Sequence, residues 1–91
     1  MKAKILLIED ELHIAEGIKV NLNLSGYEVI VAEDGMVGIE LWEKEDPDLI
    51  ILDIMIPKID GLNVLKRIRK TDLETPVLVL SAKDKIGRAH V

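Results

Sequence analysis

The chain has 91 residues, which allows one domain at most. Hydrophobic residues make up 48% of it, as in a globular protein, and 17 acids against 12 bases give a net charge of −5, so the electrostatic footprint of a nucleic-acid binder is missing. The lack of cysteine excludes disulfides, zinc–thiolate sites and thiol nucleophiles, and no apolar run approaches the roughly 18 residues that span a membrane.

Residues 5–8 (ILLI) form a short continuous apolar run, the first expected strand. Residues 11–24 carry Ile14, Ile18 and Leu22 four apart, as on one helix face, and Ser25-Gly26 stops that helix. Residues 27–32 (YEVIVA) are a second strand. A second helix over 34–44 turns Ile39 and Trp42 inward, although Gly35 and Gly38 lower its propensity, and Asp46-Pro47 closes it. Residues 48–53 form the third strand, and 61–70 the third helix, with Leu62, Leu65 and Ile68 on one side. Thr75-Pro76 marks a boundary before the fourth strand, 77–82 (VLVLSA).

This β-α-β-α-β-α-β order specifies a parallel sheet with helices on both faces, a flavodoxin-like doubly wound α/β fold of four strands and three helices. ILLI, LIIL and VLVL are apolar throughout, as strands covered on both faces are, whereas Tyr27 and Glu28 mark the second strand as an edge. Right-handed crossovers then give the order 2-1-3-4, whose winding reverses between strands one and three. Open α/β sheets bind ligands at that point, outside the carboxyl ends of the strands.

The acids converge there. Strand one runs into Glu9, Asp10 and Glu11, and strand three ends in Asp53. Crowded carboxylates repel, and a hard divalent cation relieves them; Mg2+ suits best, because it takes oxygen ligands and needs only a couple of carboxylates. Asp53 is then placed as a nucleophile toward a phosphoryl donor. Ser81, at the end of strand four, can donate a hydrogen bond to a phosphoryl oxygen on Asp53, and the small Ala82 leaves room for it.

Other polar residues have plainer readings. Asp10 alone would be a helix N-cap, Asp34 and Asp60 read as caps, and Glu11 as solvated. Lys66, Arg67, Arg69 and Lys70 form the wet, C-terminal end of helix three and complement its dipole. His13 and His90 have no second ligand at metal spacing and read as surface residues; Trp42 reads as core packing.

The segments ILLIEDE, DLIILDIMIPKIDGLNVLKRIR and PVLVLSAKD, in this order and spacing, resemble the receiver domain of bacterial two-component response regulators. The middle segment is most similar to receivers that carry a winged-helix DNA-binding output domain. The resemblance implies that Asp53 is the phosphoacceptor, phosphorylated by a histidine kinase with Mg2+. It implies that Asp10 ligates the metal directly, Glu9 through water, and Met55 through its backbone carbonyl. Ser81 would be the switch hydroxyl, and Pro57 and Gly61 the turn after the acceptor. A receiver is a phosphoacceptor rather than a turnover enzyme, and a cytoplasmic location follows from the same resemblance.

The family continues past strand four with a helix, a fifth strand and a last helix, and it carries a lysine that pairs with the phosphoryl group. None of the lysines here matches that residue. Residues 1–84 are therefore taken as a receiver lacking its last elements, and 85–91 (KIGRAHV) as a tail with the look of non-native sequence. Metal binding and phosphorylation are expected to be impaired in such a chain. Strand four becomes an uncovered edge, so a homo-oligomer formed through it is expected, with no nucleic acid or membrane as partner. The alternative is a self-associating structural module whose acids are inert. A phosphatase of the haloacid-dehalogenase type needs a second Asp where Met55 stands, and is discounted.

Overall fold

The strands and helices alternate along the chain as β1 (Lys4–Ile8), α1 (Leu12–Leu24), β2 (Glu28–Ala32), α2 (Gly35–Glu45), β3 (Leu49–Asp53), α3 (Gly61–Arg69) and β4 (Val77–Leu80). The structure is a computed structural model that describes residues 2–54, 56 and 59–80. All pairings in the sheet are parallel and the strand order is β2-β1-β3-β4, as the sequence pattern requires. Each observed element lies within two residues of its expected bounds.

Side chains on the central strands alternate between two cores. Leu6, Ile8, Ile50 and Leu52 pack on one face with Ile39, Val64 and Ile68 from α2 and α3. Ile5, Leu7 and Ile51 pack on the other with Ala15 of α1. Most of these residues are fully buried, and each is worth about 1.5–3 kcal/mol relative to exposure. The central strands therefore have no polar face, which is why they read as unbroken apolar runs.

Capping fixes where α2 and α3 begin. Asp34 Oδ1 accepts from Val37 N (2.9 Å) and Asp60 Oδ1 from Asn63 N (3.0 Å), so both expected caps are present. Helix α2 ends where Asp46 takes the left-handed conformation (φ 49°) just before Pro47. At α1 the N-cap position belongs to Glu11 rather than Asp10, with no side-chain cap bond. Trp42 is half-buried, and its indole N–H donates to Asp72 Oδ2 (3.1 Å), so it ties α2 to the α3–β4 loop besides packing against the core. Asp72 also accepts from the hydroxyl of Thr75 (2.6 Å) and from the backbone N–H of Thr75 and Glu74 (3.0 Å each). These bonds, led by the Thr75 hydroxyl, hold its carboxyl well below the usual carboxylate range.

One expectation about α3 is corrected. Leu62 is 57% exposed, and the inward stripe is Gly61, Val64 and Ile68, with Leu65 packed beside it. Residues 62 and 65 share a face, but the stripe that meets the sheet starts one position earlier, because Gly61 must lie against the end of β3. In β4, Val77 and Leu80 pack against the two cores, whereas Leu78 is 54% and Val79 39% exposed, so each face of the strand is only partly covered by the described residues. The expected tail at 85–91, with His90, lies outside the described residues.

Candidate functional site

The parallel register levels the ends of β1 and β3. Ile8 pairs with Leu52, so the next residues, Glu9 and Asp53, emerge side by side at the carboxyl edge of the sheet. Glu9 N donates to Ala32 O (2.9 Å), which carries the β1–β2 pairing one step beyond β1. Ile54 N donates to Leu80 O (3.1 Å) and does the same for β3 and β4. The backbone is thus tied down on both sides of the point where the winding reverses.

Oxygens of Glu9, Asp10 and Asp53 lie within 4.8 Å of one another. Glu9 and Asp53 are fully buried, while Asp10 is exposed. Glu9 Oε2 accepts from Glu11 N (3.0 Å), which fixes its carboxylate over the β1–α1 turn. Two unit charges at 4.8 Å repel by roughly 3 kcal/mol at an effective dielectric of about 20. Such a cluster fits a small divalent cation. In an octahedral shell with bonds of about 2.1 Å, ligand oxygens stand roughly 3–4 Å apart, close to the spacing present here. The donors are all hard oxygens, as Mg2+ prefers.

The turn beyond Asp53 owes its shape to Gly61. Gly61 N donates to Ile54 O (3.1 Å), and a Cβ at Gly61 would collide with Ile54 Cα and stand 2.7 Å from Asp53 O. The loop is anchored from within by Ile56, which is 7% exposed and belongs to the α2–α3 core. Of the other residues singled out by sequence, Met55, Pro57 and Ser81 lie outside the described residues. Glu11 and His13 are exposed, as expected. A cavity of about 280 Å³ between α2 and α3, lined by Ile39, Ile59, Asn63, Lys66, Arg67 and Lys70, contains none of the three carboxylates. Sequence reasoning missed Ile56 and Gly35 as supports of the loop. An apolar residue immediately before Pro57 was a weak signal for the first; the second had none beyond its lack of a side chain.

The model of the response regulator receiver domain family matches residues 5–90. This chain belongs to that family. Response regulator receivers act in two-component systems, and this one is 47% identical over 85 residues to the alkaline phosphatase synthesis transcriptional regulatory protein PhoP of Bacillus subtilis, a match covering 93% of this chain and 35% of that protein. It is 41% identical over 83 residues to the transcriptional regulatory protein TrcR of Mycobacterium tuberculosis, covering 91% and 32%. The receiver thus spans about a third of the length of the curated relatives it matches. Among solved structures, a Francisella response regulator receiver domain superposes with a TM-score of 0.86 at 37% identity, covering 91% of this chain and 69% of that one. The response regulator TrrA of Thermotoga maritima, in complex with Mg2+-BeF, gives 0.85 at 38%, covering 93% and 73%. No helix among the described residues is long and apolar enough to cross a membrane.

Proposed function

We propose that this receiver accepts a phosphoryl group on Asp53 from a histidine kinase. The observation that carries the reading is the convergence of Glu9, Asp10 and Asp53 oxygens within 4.8 Å at the switch point of the sheet. A carboxylate oxygen of Asp53 attacks phosphorus, the new O–P bond forms as the P–N bond to the donor histidine breaks, and the leaving imidazole takes up a proton. A small acyl phosphate can serve as donor in the same way. Bound Mg2+ would supply charge neutralisation for the carboxylates and the transferring group. Glu9, Asp10, Asp53 and the carbonyl of Met55 would hold it. The Ser81 hydroxyl donates to a phosphoryl oxygen on Asp53, and Pro57 and Gly61 shape the turn that presents the acceptor. The Mg2+-BeF complex of TrrA supports the metal assignment by family likeness.

The protein acts in the cytoplasm, as a signalling module rather than a turnover enzyme. Copies associate through β4, whose outer edge and exposed Leu78 and Val79 support the reading. An inert structural module is not favoured, since it leaves three converging carboxylates without a role. Incubation with acetyl phosphate and Mg2+, followed by mass spectrometry, tests the main proposal. The expected result is a Mg2+-dependent phosphoryl adduct on Asp53, absent from Asp53→Asn. Rapid stoichiometric labelling would discard the impairment expected from the sequence. No labelling after prolonged incubation of the folded chain, or labelling elsewhere, would discard the role of Asp53.

A further inference from the structure

We infer that Gly35, the first residue of α2, is a positioning residue for the acceptor loop between Asp53 and Gly61, an inference that rests on the phosphoacceptor reading. Gly35 is buried, and a Cβ built there would overlap the carbonyl oxygen of Ile59 and stand 2.9 Å from Val64 Cγ2. The first obstacle is backbone, which cannot rotate away as a side chain can. The start of α2 and the acceptor loop therefore touch main chain to main chain.

Neither partner has much room to yield. Asp34 caps Val37 N at 2.9 Å and fixes the first turn of α2. Val64 is fully buried in the core. The loop is closed at its base by Gly61 N to Ile54 O (3.1 Å) and anchored midway by Ile56. A methyl group at residue 35 displaces Ile59, and Gly61, two residues on, passes that displacement to Ile54 and the backbone of Asp53 through its N–H to Ile54 O and its close packing there. The atoms nearest a Cβ at Gly35 belong to Ile59 and Val64 rather than to the three carboxylates, so its influence on them is routed through the loop. Gly38 provides the comparison. The nearest atoms to a Cβ there are Ile8 Cδ1 (2.6 Å), Cγ1 (3.0 Å) and Cγ2 (3.3 Å), side chain rather than backbone, so its obstacle lies in the core and not in the acceptor loop.

The test compares Gly35→Ala and Gly38→Ala by thermal melting and by Mg2+ titration, following the amide signals of Ile54 and Asp53. Both variants are expected to lose stability. Gly35→Ala should also bind Mg2+ roughly tenfold more weakly, the size of loss typical when a support of metal ligands is disturbed. Gly38→Ala should bind it as the parent does. In the unsubstituted chain, the amide of Gly35 should shift with Mg2+ at the same midpoint as that of Ile54. This second measurement decides the matter if Gly35→Ala does not fold. Equal Mg2+ affinity in Gly35→Ala and the parent, or a silent Gly35 amide while Asp53 responds, would overturn the inference and leave the phosphoacceptor reading standing. No Mg2+ response at Asp10 and Asp53 in the parent would overturn both.

Discussion

Asp53→Asn should stabilise the metal-free fold and remove its response to magnesium. Glu9 and Asp53 are both fully buried, with oxygens inside 4.8 Å, so their repulsion is roughly 3 kcal/mol at an effective dielectric of about 20. Asp10 adds less, because it is exposed and screened. The new amide loses part of the hydrogen bonding of the carboxylate, on the order of 1 kcal/mol. The balance is a gain of about 2 kcal/mol. At 4–8 °C per kcal/mol for a domain of this size, the melting temperature should rise by about 10 °C. In the parent chain, Mg2+ at about a hundred times its Kd should stabilise by roughly 2.7 kcal/mol, whereas the variant should gain nothing. Melts followed by circular dichroism in EDTA and in Mg2+ should therefore rank the variant above the parent without metal, and the parent level with or above it when metal is present. A variant that melts no higher than the parent in EDTA, or that gains as much as the parent from Mg2+, would refute the electrostatic reasoning.

Acid should act partly through the α3–β4 loop. The folded-state pKa of Asp72 is depressed from its ordinary 3.8, so its contribution to stability is fully present above that value and is lost as pH falls through the folded-state pKa. Asp72→Asn should therefore flatten the acid limb of the stability–pH curve and alter the emission of Trp42, whose indole N–H donates to Asp72; an unchanged acid limb would rule this out. The parent chain should sediment as an oligomer at micromolar concentration, and Leu78→Lys combined with Val79→Lys should release monomers by placing charge on the edge strand. A parent that sediments as a single monomeric species would exclude β4 as a contact.

How much of this could be read from the sequence depended on whether period or close packing decides a feature. Strand order was legible because one strand carries Glu28 on its exposed flank while ILLI and LIIL are apolar throughout. The carboxylate cluster followed from the order alone, since parallel register at Ile8 and Leu52 forces their successors together. The orientation of α3 was not legible. Leu62-x-x-Leu65-x-x-Ile68 and Gly61-x-x-Val64-x-x-x-Ile68 are both helical spacings, and the choice turns on Gly61 fitting against Ile54, a contact between backbones that no hydropathy pattern records. Gly35 was hidden for the same reason. In sequence it only weakens a helix, whereas in the fold its missing side chain is the space Ile59 O occupies. The two glycines brace the loop beyond β3 from opposite ends, Gly61 at Ile54 and Gly35 at Ile59. A buried carboxylate at a strand end gains stability from a cation only if its backbone stays in place when the metal leaves. The sequence writes the charges of this site as a pattern, and writes their support as the absence of two side chains.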